Sequence, residues 1–438
     1  MFIRKLLLLT VFISLLSCEK KQEQQTAREI NTSPVEVKDS LRMSRSELKN
    51  KVMGMLLGTA IGDAMGAPTE MWSREQIKSQ YGYVADLDTM VRAPSAEGTW
   101  QYNLPAGGTT DDTRWKKLMA EFIIAQPAPA TELKPVAFAD HILRQYEEDI
   151  QQLKTTDGFD PEPFEDNLRR MAWLQEWALV AKPYAAGDMD GYSAALSRFY
   201  GGEMTCAGML YLPAIGALYP AQPGQAYRAA FQLGFFDLGY ARDISALTAA
   251  MVAAAMAAEP TPASVINVIR DIDPQHYFKS RLVGRAAYRI LEEARNIVFQ
   301  ARQPTMQDMS SAKVEQSGRV IPDSIRKVQL QEAYRLLDER NQDMPFHAGE
   351  IHLINLTALL FCNFDFEESL AFVINYGRDN DTVAAVTGAI LGAYWGADHL
   401  PPQLVQQVLT VNKERLGIDL EKLAEQLTNK IILSYPTW

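Results

Sequence analysis

The feature that most constrains this chain is a pair of glycine rows. In "SRSELKNKVMGMLLGTAIGDAMG", Gly54, Gly58, Gly62 and Gly66 recur at every fourth residue. In "NDTVAAVTGAILGAYWGA", Gly388, Gly392 and Gly396 do the same, with Ala385, Ala389, Ala393 and Ala397 on the adjoining row. Residues four apart share one face of an α-helix. Each glycine costs such a helix up to ~1 kcal/mol relative to alanine. That cost is offset only where another backbone packs closely against the bare face. A membrane dimer of this kind needs a span of about 20 apolar residues. Here Asp63 interrupts one uncharged run, and Asp381 and Asp398 bound the other. The two rows therefore predict buried core helices.

The rest of the chain carries the same period. Segments such as "DDTRWKKLMAEFIIAQ", "FEDNLRRMAWLQEWALVA", "DISALTAAMVAAAMAAE" and "GEIHLINLTALLFCN" space their apolar residues for helices, and Ser44 or Ser46 offers an N-cap to the first. No run alternates as a strand does, so the class is all-α. With 438 residues, a net charge of -11 and a pI near 5.1, the chain lacks the basic footprint that nucleic-acid binding requires.

Residues 1–17 read as a signal peptide, with Arg4 and Lys5 before an apolar run from Leu6 to Leu16. The ending "LLSC" resembles a lipobox, which makes Cys18 the lipidated first mature residue and predicts a lipid anchor in the cell envelope. Residues 18–45 form a polar stretch without hydrophobic period, a tether to a domain over 46–438. Cys206 and Cys362 lie in apolar surroundings that suit either a disulfide or two buried thiols.

Three acidic constellations could carry chemistry: Asp63 with Glu70 in "GDAMGAPTE", Thr110, Asp111 and Asp112 in "GGTTDDT", and Asp379, Asp381 and Thr382 in "GRDNDT". Carboxylates one or two apart do not share a helix face. Both paired sets are therefore expected in turns just before a helix, where Thr and Asp also serve as N-caps. Gathered together, carboxylates repel and raise one another's pKa, and hard oxygen donors suit Mg²⁺, Ca²⁺ or Mn²⁺. His347 and His352, five apart with Glu350 between them, match no zinc pattern and read as surface or packing histidines. Trp100, Trp115, Trp173 and Trp177 read as core residues before a protein-binding surface.

The blocks "MLLGTAIGDAMGAPTE", "TTDDT" and "GRDNDTVAAVTGAILGAYWG" resemble, in order, the three signatures of the ADP-ribosylglycohydrolases, across roughly Lys49 to Leu400. The resemblance implies a compact helical bundle with two Mg²⁺ or Mn²⁺ ions in a central cleft. By position it makes Thr110, Asp111, Asp112, Asp379, Asp381 and Thr382 metal ligands. It gives Glu70 and Asp112 catalytic roles, and gives Glu70, Gly377 and Arg378 contacts to substrate. Asp63 is read as supporting these residues. The implied reaction cleaves a ribosyl glycosidic bond, of an ADP-ribosyl or related conjugate, in a small-molecule or ribosylated substrate. A non-catalytic ribosyl-binding lipoprotein, in either case a monomer, is the alternative. Relatives carry Gly-Gly-Asp-Thr-Asp-Thr where this chain has Gly377-Arg378-Asp379-Asn380-Asp381-Thr382. Arg378 could meet a diphosphate or neutralise the carboxylates beside it. The segment Gly201–Pro220 resembles only loosely the one that lines the distal ribose and phosphates. Met209-Leu210 replaces a Met-Arg there, and Gly239-Tyr240-Ala241-Arg242 stands where a Thr-His pair is frequent.

Overall fold

The computed structural model describes residues 43–90, 104–130, 132–155, 174–303 and 323–435. Cys18, Trp100 and Trp173 lie outside the described residues, as does nearly all of the predicted leader and tether. Helices that build or back the cleft are α1 (Arg45–Gly66), α2 (Asp111–Ala125), α3 (Ala207–Tyr211), α4 (Tyr240–Ala255), α5 (Ala348–Phe361), α6 (Phe366–Tyr376), α7 (Asn380–Trp395) and α8 (Leu420–Ser434). Among the described residues there is no β-strand, only isolated bridges such as Trp72 with Arg378 and Thr205 with His347.

Ser44 starts α1 with a capping box: its hydroxyl accepts from the Glu47 amide, and the Glu47 carboxylate accepts from the Ser44 amide. From there the glycine row of α1 faces that of α7. A Cβ placed on Gly54 would stand 2.1 Å from the Gly392 carbonyl oxygen, and one on Gly58 would stand 2.0 Å from that of Gly388. Gly62 meets Ala384 in the same way, at 2.1 Å, and Gly66 meets the Asp381 Cα at 2.4 Å. As numbers rise on one helix they fall on the other, so the pair is antiparallel and backbone touches backbone along its length. The row ends on Asp381, one of the acidic residues singled out by sequence. No helix among the described residues is long and apolar enough to cross a membrane.

Lys51 locks the other end of the pair. Its buried ammonium donates to the carbonyls of Ala255 at 3.1 Å, Ala393 at 3.1 Å and Tyr394 at 3.2 Å. These are carbonyls at the C-termini of α4 and α7, where a cation satisfies both the orphan acceptors and the helix dipole. Trp115 and Trp177 pack against each other in the core with ring centroids 4.0 Å apart, joined by Tyr211 and Phe236. They are core residues, and no protein-binding surface is built from them. Cys206 and Cys362 are both free and buried.

Candidate metal centre

The helices α2 and α7 present their N-termini to one cavity of about 400 Å³. Glu70, Asp111, Asp112, Asp379, Asp381 and Thr382 all line it, although they come from three distant segments. Sequence spacing places the paired acids in turns ahead of the helices. In the structure Thr110 and Asp379 are the N-cap residues, while Asp111, Asp112, Asp381 and Thr382 lie in the first helical turn. First-turn amides have no intrahelical partner and favour negative charge nearby. Asp379, at φ -80° and ψ 62°, is off the helical path and can therefore face the same cavity as Asp381.

Neither N-cap residue makes the side-chain capping bond that would give these motifs a purely structural purpose. For α2 the cap arrives from another helix. Asp63 of α1 accepts from the Thr110 amide at 2.9 Å and hydroxyl at 2.8 Å, and from the Thr113 amide at 2.9 Å and hydroxyl at 2.6 Å. With Asp63 saturated in this way, Asp111 and Asp112 are left to the cavity. Burial, and then the neighbouring Asp112 charge, push the Asp63 carboxyl up to about 6.

One oxygen each of Glu70, Asp379 and Asp381 lie within 4.8 Å of one another. Burial, followed by the Glu70 charge, drives the Asp379 carboxyl up to about 8 and that of Asp381 well above its ordinary value. Asp111 is raised for the same reason, with Asp112 as its main repulsive neighbour. Asp112 has a cation in contact: Lys116 Nζ lies 3.3 Å from its Oδ1, and the Thr382 hydroxyl donates to its Oδ2 at 2.9 Å. Lys116, Arg114 and Arg198 are fewer than the acids Asp63, Glu70, Asp111, Asp112, Asp379 and Asp381 gathered here. The donors are oxygen throughout, apart from the Cys206 thiol 3.9 Å from Asp379 Oδ2. That set fits a hard divalent cation.

Other sequence-predicted residues stand elsewhere. Thr110 lies behind the cavity wall, its hydroxyl on Asp63 and 3.5 Å from Asp381 Oδ2. Gly377 and Arg378 are not on the lining; Arg378 pairs with Glu350 at 2.7 Å. Arg242 donates to the carbonyls of Phe231 and Gln232. His347 caps α5 by accepting from the Gly349 amide at 3.1 Å, and His352 is fully buried. The outer part of the cavity is made by Trp177, Arg198, Tyr200, Gly201, Thr205, Cys206 and Phe346. Sequence reading pointed to Gly201–Pro220 as a region, but Arg198, Tyr200 and Phe346 carried no motif by which to find them.

Comparison with known proteins bears on the family and the fold. The ADP-ribosylglycohydrolase family profile matches residues 44–437. An uncharacterized protein of Archaeoglobus fulgidus is 26% identical over 347 residues, covering 79% of this chain and 88% of that protein. A segment of 74 residues is 31% identical to the uncharacterized protein YegU of Escherichia coli, covering 17% and 21% of the two chains. A solved structure described as an ADP-ribosylglycohydrolase-related protein complex shares the fold, with a TM-score of 0.52 at 18% identity over 88% of this chain and 99% of that one. By its sequence profile, this chain belongs to the ADP-ribosylglycohydrolase family.

Proposed function

We propose that the protein is a metal-dependent hydrolase that cleaves a ribosyl glycosidic bond, in an ADP-ribosyl or related ribosyl conjugate, with two Mg²⁺ or Mn²⁺ ions. The observation that carries this reading is the convergence of Glu70, Asp111, Asp379 and Asp381 on one cavity, with Lys116 bound to Asp112 instead. Asp111, Asp112, Asp379, Asp381 and Thr382 would hold the ions, with Thr110 behind them on Asp63. Bound there, a metal pair supplies Lewis acidity that orients sugar hydroxyls and activates water.

The chain's own residues supply the rest. Glu70 is half-buried on a loop, not a helix turn, and faces the carboxylates across the cavity. In this reading it would accept a proton from an attacking water. Asp63 and Lys116 fix the orientation of the α2 carboxylates, so that little rearrangement accompanies charge build-up in an oxocarbenium-like transition state. Trp177, Tyr200 and Phe346 give the outer cavity apolar walls for a sugar or base, and Arg198 is a cation at that end suited to phosphate.

The N-terminal pattern supports a lipid anchor at Cys18, hence an envelope enzyme that acts as a monomer on small-molecule or exogenous ribosyl conjugates. Full-length protein is to be assayed with Mn²⁺ against ADP-ribosyl-arginine, ADP-ribosyl-serine and a nucleoside panel. Metal-dependent release of the sugar, lost in Asp111→Ala, is the expected result. Binding of ADP-ribose without turnover of any conjugate would replace the hydrolase reading with that of a binding lipoprotein. For the anchor, Cys18→Ser should move the protein from the membrane to the soluble fraction.

A further inference from the structure

The turn that bears Asp379 and Asp381 is fastened from outside the cavity. Arg378 sits at φ +66°, in the left-handed region, directly after Gly377 at φ +90°. A side chain rarely occupies this conformation without external support. Its support is a fork-to-fork ion pair: Nε donates to Glu350 Oε1 at 2.7 Å and Nη2 to Oε2 at 2.9 Å. Nη2 also donates to the Gln342 carbonyl at 2.7 Å, and the Gln342 amide donates to Glu350 Oε2 at 2.6 Å. Glu350 is 3% exposed, so this pairing is its main compensation for burial.

The backbone of Arg378 reaches a second wall. Its amide donates to the Trp72 carbonyl at 2.9 Å, and its carbonyl accepts the Met71 amide at 2.7 Å. Met71 follows Glu70 immediately, so the arm carrying Glu70 is stapled to the turn carrying Asp379. The Gln342 bonds reach a third wall, because the same segment ends at Phe346, which lines the cavity and whose carbonyl accepts the Cys206 amide at 2.9 Å. The Tyr376 hydroxyl ties that segment again by donating to Asn341 Oδ1 at 2.7 Å.

We propose that Arg378 and Glu350 form a positioning clasp, which sets the spacing of Glu70 from Asp379 and Asp381 and thereby the metal affinity of the site. The metal part of this statement rests on the reading under Proposed function; the structural part does not. Neither residue touches substrate in this role.

The test uses the full-length protein as wild type, Glu350→Gln, Arg378→Gly and Arg378→Lys. Mn²⁺ affinity is read by calorimetry and exchange of the Met71 amide by hydrogen–deuterium exchange. Glu350→Gln should weaken Mn²⁺ binding by about ten-fold or more, the usual cost of removing a group that orients metal ligands. It should also speed Met71 exchange by about ten-fold, while amides of α1 remain protected. Arg378→Gly should show both effects even though glycine accepts the left-handed backbone. Arg378→Lys should recover only part, since a single ammonium cannot match both carboxylate oxygens. Wild-type Mn²⁺ affinity and wild-type Met71 exchange in Glu350→Gln and Arg378→Gly would overturn the clasp. If the wild type itself binds no Mn²⁺, the metal reading falls, and Met71 exchange alone decides the clasp. Should Glu350→Gln fail to fold, the two Arg378 variants carry the same readouts.

Discussion

Asp243 and Asp381 occupy matching places. Each is the acidic residue in the first turn of a long core helix, α4 and α7, and they are 0% and 2% exposed. Their surroundings are opposite. Asp243 accepts from the Tyr227 hydroxyl at 2.6 Å and from Arg285 through Nη2 at 2.8 Å and Nε at 3.1 Å. Arg285 spends its remaining reach on the carbonyls of Ile269 and Ile272. Charge and hydrogen bonds therefore balance inside the chain. Asp381 has as near neighbours Asp379, Glu70, Asp112 and Asp63, all of which raise its pKa. The first arrangement is architecture, because nothing external is needed to keep it. The second gathers like charges with no such balance, and a cation bound there would offset their repulsion.

This contrast can be broken by mutation, and the largest effect is expected at the balanced site. Arg285→Met strands Asp243 in the core and should cost about 3–5 kcal/mol in urea denaturation, with Mn²⁺ affinity unchanged for the protein that remains folded. Asp381→Asn should do the reverse. Relief of repulsion leaves metal-free stability equal to or above wild type, while Mn²⁺ affinity by calorimetry falls about 100-fold. If Asp381→Asn destabilised the metal-free protein as Arg285→Met does, the two sites would not differ in kind. Thr113→Val removes a hydroxyl 2.6 Å from Asp63 and leaves that carboxylate short of a donor. It should cost about 1–2 kcal/mol of stability, and a drop of more than a few-fold in Mn²⁺ affinity would place Asp63 closer to the metal than a supporting cap.

A further expected effect is in pH. Asp379 titrates near 8 in the fold and near 3.8 as an ordinary carboxyl, so the folded state holds its proton more tightly. Its contribution to metal-free stability is complete below about pH 4 and is lost as pH rises through about 8. Asp63, raised to about 6, acts in the same direction at lower pH. The Tm of metal-free protein should fall by on the order of a few degrees between pH 5 and 8. Saturating Mn²⁺ should abolish that fall, because it takes the place of the protons. A metal-free Tm that rose over this range would contradict the repulsion on which the site reading depends.

How much of this was legible in the sequence depends on the distance over which each feature is decided. The helices and their buried faces follow from spacing of three and four residues, and the glycine rows could not be explained without close backbone packing. The acidic blocks were readable as hard-ligand clusters because carboxylate, threonine and glycine stand together in each. Sequence did not indicate that one glycine row meets the other, nor that this contact ends on Asp381. It offered two destinations for Arg378, a diphosphate or the adjacent carboxylates. The structure gives a third in Glu350, a residue noted only for lying between two histidines. The outer cavity residues Arg198, Tyr200 and Phe346 have ordinary local contexts, and only folding brings them beside Glu70 and Asp379.

By itself, then, the sequence determined an all-α core with two helices shaped for backbone contact, and a supply of oxygen ligands at helix starts, since both are set by neighbours a turn away. Tertiary structure decided which buried acids are neutralised. A carboxylate's state depends on groups within a few ångströms, and here those groups come largely from far along the chain: Arg285 for Asp243, Thr110 and Thr113 for Asp63, and for Asp381 a set of charged neighbours that are acids. The same first-turn aspartate is neutralised in one place and left among acids in the other because the fold delivers an arginine to one and not to the other.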